Sequence, residues 1–291
     1  MLPGPPRHAI ARWPTKILYA DKKLIVLNKA PGLVAQLESS RGCDLAGVLN
    51  AVKRDLNLAN TPFPVHRLDK GTTGCLVLGT SSAAARDLST QFRRRLVDKT
   101  YLALVRGGSR SFPGTRGEIS TPLVSEDGRM RLASQDSGER ESRTEWEVVA
   151  SSPRLPLTLL RLQLHTGHKH QLRVHLAHVL KAPILGDTLY SQSPPTQEIQ
   201  SSVVGDLQDS RILLHASRIS LFRYSPRRMK IQVVAPLPDD FVRICSQIEI
   251  PLDAVDRTGG LFISSSSEEQ DFTGVQEVPA LEGRWFPQDG Q

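Results

Sequence analysis

Pro64-Val65-His66-Arg67-Leu68-Asp69-Lys70-Gly71-Thr72-Thr73-Gly74-Cys75-Leu76-Val77-Leu78-Gly79 is the stretch on which the reading of the whole chain turns. It sets an Arg-Leu-Asp triplet ahead of a Gly/Thr turn, and the turn leads into an apolar run that predicts a buried strand. A polar loop feeding a core strand is a common mounting for chemistry, because the strand fixes the loop while the loop keeps access to solvent. A solvated surface loop can carry the same triplet, so Arg-Leu-Asp alone decides little.

The longer pattern His66-Arg67-Leu68-Asp69-x-x-Thr72-Thr73-Gly74 resembles the H-R-L-D-x-x-T-S-G signature of the RluA-type pseudouridine synthases, with Thr73 where Ser is commoner. Several specified positions within one short segment are far more specific than a lone glycine motif. Asn28-Lys29-Ala30-Pro31-Gly32-Leu33 is similar to the family's N-K-P-x-G-L segment, with the proline shifted by one place. The run from Lys99 through Tyr101, Ala103 and Val105 to Gly107 resembles K-x-Y-x-A-x-V-x-G. Thr166 to His175 resembles T-G-R-x-H-Q-I-R-V-H, with His168 in place of the first arginine and Arg173 keeping the second. The likeness extends from Lys16 to Phe241, with its motifs in the family's order.

At 291 residues the chain is long enough for one large domain or two small ones with a sizeable core. Its three cysteines, Cys43, Cys75 and Cys245, lack metal or redox spacing and read as reduced thiols of an intracellular protein. The apolar runs are too short to cross a bilayer, so no membrane partner is expected. The formal charge is +7, unevenly spread. From Pro251 onward eight acids face only Arg257 and Arg284, a balance of −6, which leaves the first 250 residues at +13. Such a surplus favours a polyanionic partner, nucleic acid above all.

The N-terminal segment 1–15 contains Arg7 and Arg12 and no acid, like a mitochondrial presequence in charge, although its prolines suit a helix poorly. Mitochondrial localisation is the expectation, with the cytoplasm as the alternative. The catalytic domain is expected over 16–250, and a flexible acidic tail over 251–291. Strands are predicted at Ile17 to Tyr19, Leu24 to Leu27, Asp98 to Gly107, Thr144 to Val149, Leu157 to Leu164 and Met229 to Val234. Helices are predicted after Asp44, after Ser81 or Ser82 with Leu88, Phe92 and Leu96 on one face, and from Gln171 onward. Gln192 to Gln208 reads as a mobile polar insertion, and Gly108 to Arg143, with Arg129 and Arg131 among its arginines, as loops and short hairpins able to grip a phosphate backbone.

The resemblance implies an α+β fold, a long mixed and mostly antiparallel sheet with flanking helices and a central cleft. It implies isomerisation of uridine to pseudouridine within RNA. The bond from C1′ to N1 breaks, the uracil turns over and C5 joins C1′, without redox change, so no cofactor and no metal are expected. A carboxylate is needed as nucleophile or as base on the sugar, and Asp69 is the candidate. A guanidinium beside it would keep it ionised, and the motif match gives that part to Arg173. Tyr101 offers a ring for the uracil and a phenol for the C5 proton. Arg67 matches the residue that fills the gap left by the extruded base. Lys29, His66, Lys99 and His168 complete the candidate RNA contacts; Lys29 could equally brace its loop.

The five histidines from His165 to His178 invite a metal reading, but neither a cysteine pair nor a helix glutamate completes a zinc site. A catalytically silent RNA-binding protein, a zinc hydrolase and an enzyme on free nucleosides are the competing classes. Only about fifteen residues precede the first strand, so RNA selection is expected to rest on the catalytic domain itself, acting as a monomer. Large-subunit ribosomal RNA of mitochondria is the favoured substrate, and tRNA the second.

Overall fold

The computed structural model describes residues 15–34, 45–133, 141–203, 207, 211–224, 228–264, 269–271 and 277–288. Along the chain the strands are β1 (Lys16–Ala20), β2 (Leu24–Lys29), β3 (Phe63–Pro64), β4 (Thr73–Gly79), β5 (Asp98–Arg106), β6 (Arg116–Ile119), β7 (Leu123–Glu126), β8 (Arg129–Leu132), β9 (Thr144–Ser151), β10 (Leu157–Leu164), β11 (Leu214–Arg223), β12 (Met229–Val234), β13 (Gly260–Ser264), β14 (Glu269–Asp271), β15 (Glu277–Val278) and β16 (Gly283–Trp285). The helices are α1 (Leu45–Asp55), α2 (Ser82–Arg93), α3 (Gln171–Val174), α4 (Gln197–Ser202), α5 (Asp239–Gln247) and α6 (Ala254–Thr258). The class is α+β, a large and mostly antiparallel sheet system with few helices. Residues 1–98, 216–237 and 253–291 make one compact unit, and 99–215 with 238–252 make the other.

In the first unit β15, β16, β1, β2 and β4 lie side by side in antiparallel register. Every residue of β4 is buried, as its unbroken apolar run implies. The motif glycine near its start, Gly74, has φ +104, and a Cβ there would collide with the carbonyl of Ala216, so no other residue fits. Asp21 is the polar anchor of this unit. Its carboxylate accepts the N–H groups of Lys23 and Leu24, the Tyr19 hydroxyl and a two-pronged contact from Arg223 on β11. This buried ion pair also fixes the turn between β1 and β2.

In the second unit β5, β10, β9 and β6 form an antiparallel array, with Tyr101 opposite Leu162 and Leu160 opposite Val148. The β7–β8 hairpin is a separate two-stranded sheet. Its inner residues Leu123 and Met130 pack on Val174, Ala177 and Tyr190.

Several expectations change. The segment from 251 carries α6 and β13 to β16 in its described residues; it is no loose tail there. β13 pairs with β12, and β16 pairs with β1, placing Trp285 opposite Tyr19 at 1% exposure. The acid count hid a sparse apolar series, Leu261, Ile263, Val278, Leu281 and Trp285, all of it buried. Within the expected polar insertion, Thr196 caps α4, and Ile199 and Val203 are buried. Helix α2 is capped by Ser81 but ends before Leu96, which is exposed because Arg95 takes a left-handed φ of +57. Cys75 is a core residue as expected, its thiol pushed up to about 12 by burial. Residues 1–14, with the presequence-like charges, and Asp44 and Cys43 lie outside the described residues.

Replacing Trp285 by Ala should cost about 3–5 kcal/mol, the usual result of emptying a core site of that size. Chemical denaturation checks it, and an unchanged midpoint would mean that this segment contributes no packing.

Candidate active site

The loop bearing Asp69 is held from below. Leu68 is 5% exposed and anchors it, whereas Arg67 and Lys70 on either side point outward and are exposed. Asp69 itself is half-buried, and its carbonyl accepts the Thr72 N–H to close the turn. Lys29, at the end of β2, is fully buried, and its ammonium donates to the carbonyls of Ala30 (2.9 Å), Leu33 (2.9 Å) and Lys70 (3.2 Å). Gly32 N–H meets the same Lys70 carbonyl at 2.9 Å. Lys29 therefore takes the bracing role and is corrected as an RNA contact: a buried ammonium with its donors committed to three carbonyls ties two loops together.

His66 also has a structural task. β3 stops at Pro64, and the imidazole Nε2 then accepts the Val77 N–H at 2.9 Å, continuing the edge of β4. Its ring stacks on Phe92 with centroids 4.6 Å apart. The acceptor role places the ring proton on Nδ1.

In the second unit Tyr101 is 7% exposed on β5. Lys99, one alternation earlier on the same face, brings its ammonium to the Gly167 turn, within 3.5 Å of where a side chain there would begin. Arg173 forks onto Asp187, Nε to Oδ2 and Nη2 to Oδ1, both at 2.8 Å. Asp187 is 1% exposed in its side chain and also accepts the N–H groups of Leu189 and Tyr190. The guanidinium lies over the Tyr190 ring, 5.2 Å from its centroid. Asp187 is not among the site residues expected from the sequence. The signal was the glycine: Gly186 has φ +85, and a Cβ would collide with the Arg211 carbonyl, so the turn that delivers Asp187 requires it.

The five histidines of 165–178 are spread over several partners, His170 and His178 sharing Tyr190. His165 faces Glu145 at 3.0 Å, His168 Nε2 meets the Glu141 carbonyl at 2.8 Å, and His170 Nδ1 meets the Tyr190 hydroxyl at 2.8 Å. His178 lies edge-on to Tyr190. His168 shapes the turn, since its N–H donates to Gln171 Oε1 and its carbonyl accepts the Gln171 N–H.

His175 is fully buried, and its protons can be assigned by counting donors. Ser142 donates its hydroxyl proton to the Thr121 carbonyl, so it must accept from His175 Nε2 at 2.8 Å. His175 Nδ1 is then the acceptor for Thr144, which itself accepts from the Gln171 amide. Gln171 Oε1 accepts from Thr166. Protonating His175 would break this chain, and burial lowers its pKa from 6.5 to about 4. After Val174 the helix widens, with the Leu180 N–H bonding the His175 carbonyl five residues back.

A polar loop braced on a core strand is a mounting that can hold side chains in place for catalysis or for binding. A family model described as RNA pseudouridylate synthase matches residues 23–178. "RNA pseudouridine synthase 4, mitochondrial" of Arabidopsis thaliana is 34% identical over 259 residues, covering 75% of this chain and 53% of that protein, so the chain spans about half its length. "Ribosomal large subunit pseudouridine synthase D" of Nitrosomonas europaea is 33% identical, over 86% of this chain and 70% of that one. "tRNA pseudouridine synthase C" of Pasteurella multocida is 28% identical, over 82% of this chain and 98% of that one. The solved structure titled "Human RNA Pseudouridylate Synthase Domain Containing 4" superposes with a TM-score of 0.67 at 29% identity, over 84% of this chain and 95% of that one. The chain belongs to the RNA pseudouridylate synthase family. In class it is an RNA pseudouridine synthase, an isomerase.

Two expectations follow from the geometry. Lys29→Met should cost at least about 2 kcal/mol by orphaning buried carbonyls, with the loss visible in the urea midpoint. His175 lowers its pKa on folding, so the unfolded chain binds the extra proton between pH 6.5 and about 4. Stability is complete above that window and falls within it on acidification, by up to about 1.4 kcal/mol per pH unit. Denaturation across the window checks this, and His175→Gln should flatten the slope.

Proposed function

We propose that Asp69, Tyr101 and Arg173 carry the isomerisation and that the substrate is a structured RNA. The single observation behind this reading is the clamped loop: Leu68 buried below, the Lys70 carbonyl held by both Lys29 and Gly32, and Asp69 left half-buried between them. A carboxylate so fixed loses little freedom on reaching the sugar or base, which is where orientation lowers a barrier. As the C1′–N1 bond breaks and C1′ joins C5, the C5 proton must leave and N1 must gain one. Tyr101 is the group for that C5 proton.

Asp187 already balances the charge of Arg173, so Arg173 acts as an oriented donor more than as a bare cation. Arg67 is the residue for filling the gap when the uridine leaves its stack, a reading supported by its exposure beside the buried Leu68. That extrusion costs a few kcal/mol and is met by phosphate contacts from the basic body.

Large-subunit ribosomal RNA of mitochondria is the favoured target. The name of the Nitrosomonas relative supports the rRNA part, and that of the Arabidopsis relative the compartment. A tRNA target is the second reading, favoured by the Pasteurella relative, nearly all of which aligns with this chain.

Asp69→Asn should abolish pseudouridine formation while RNA affinity stays near that of the wild type. Residual turnover within about tenfold, a barrier change of only about 1.4 kcal/mol, would remove Asp69 from the chemistry. Mapping pseudouridines in the rRNA and tRNA of cells lacking the protein names the target: the lost site is expected in the large-subunit rRNA.

A further inference from the structure

Within the second unit a cavity of about 420 Å³ opens along the outer edge of β8. That size falls in the range of roughly 300–1,000 Å³ common to small-ligand sites. Its making can be followed from sequence. Asp127 and Gly128 turn the hairpin with φ +48 and +75, the pair of left-handed residues that a tight two-residue turn requires. Lys169 donates to the Gly128 carbonyl at 2.9 Å and pins the tip. Met130 and Tyr190, both buried, form the floor, joined where the Met130 N–H meets the Tyr190 hydroxyl at 3.3 Å. Leu132 and the 36%-exposed Leu189 leave apolar surface at the opening. Around it stand three exposed cations, Arg129, Arg131 and Lys181. His178 completes the wall, its pKa lowered by burial and then by Lys181.

We propose that this cavity receives one unpaired nucleotide of the substrate RNA, with the base on Leu132 and Leu189 and its phosphates on Arg129, Arg131 and Lys181. The inference rests on the RNA reading above and deepens it. Unstacked bases are bound by apolar and guanidinium surfaces, and their phosphates by flexible cations; this opening presents both. Its position argues for the same RNA molecule, not a free nucleotide. The Leu189–Tyr190 wall hangs by its N–H groups from the carboxylate of Asp187 that orients Arg173, and Tyr190 underlies the Arg173 guanidinium. With Arg173 in the chemistry, the occupant is a neighbour of the reacting uridine, and the cavity contributes to choosing which uridine reacts. An acidic peptide would answer the cations but leave the apolar opening unfilled.

The test is fluorescence anisotropy with a labelled single-stranded RNA of about twelve nucleotides. Wild type is compared with the Arg129→Ala/Arg131→Ala double variant. The double variant should bind about tenfold more weakly. Its slope of log affinity against log salt should be shallower by about 1.4, for two lost phosphate contacts. Leu189→Ala should also weaken binding, without changing the slope. Lys181→Ala gives a second reading of the rim if the double variant misfolds.

Unchanged affinity and slope would overturn the proposal. So would an equal loss on a duplex of the same sequence, which would mean a phosphate rail with no nucleotide slot. Poly-glutamate displacing RNA from the wild type with higher affinity than the oligonucleotide itself would assign the site to acidic protein. Free uridine monophosphate competing as well as the oligonucleotide would assign it to a small molecule. Pseudouridine made by the wild type in bulk cellular RNA is measured in parallel. Its absence would count against the family chemistry, whereas the anisotropy result judges the cavity alone.

Discussion

One buried ammonium organises the loop to which the chemistry is assigned by proposal. Lys29 Nζ spends its donors on the carbonyls of Ala30, Leu33 and Lys70, and so joins the loop after β2 to the loop that carries Asp69. A buried cation is costly to desolvate and is tolerated where hydrogen bonds repay that cost. Here the repayment is positional. The backbone of Asp69 is caught between a buried leucine and a carbonyl that accepts two hydrogen bonds, which fixes where its side chain begins. Preorganisation of this kind is worth more to an isomerase than added binding strength, because substrate and product share almost every atom.

The second unit reaches the same end by another route. Arg173 sits on a short helical turn between two polar networks. On one side His175, Ser142, Thr144 and Gln171 exchange hydrogen bonds with each proton position determined. On the other, Asp187 grips the guanidinium itself while holding the Leu189–Tyr190 backbone. A fully satisfied buried network is rigid, and one missing partner is expensive. In this histidine-rich segment the imidazoles of His168, His170 and His175 each take a hydrogen-bonding partner within the fold.

Much of the fold was legible in the residues. The period of two gave β5, β10 and β12 nearly to the residue. What escaped has physical causes. For Lys29 the residues left RNA contact and loop bracing both open, because burial of an ammonium depends on carbonyls from residues up to 41 positions away. The segment beyond 251 looked loose because its apolar residues are thinly spaced among acids, and only pairing of β16 with β1 shows that they are core. Leu96 fitted a helical face, but Arg95 in a left-handed conformation ends that helix first. In the candidate site, the short motifs brought Asp69, Tyr101 and Arg173 into view. Asp187, which orients Arg173, carries no local pattern beyond the glycine before it. The cavity beside β8 is tertiary in origin, assembled from a hairpin, a helix end and a turn.

The roles proposed for Asp69, Tyr101 and Arg173 make up one reaction, a rearrangement within a nucleotide that stays attached to its RNA. It is tested most directly by incubating the purified protein with RNA from cells that lack it, digesting the RNA to nucleosides and separating them by chromatography. Pseudouridine rising as uridine falls, one for one and with no other product, is the expected result. RNA bound by the protein with its uridine content unchanged would contradict it.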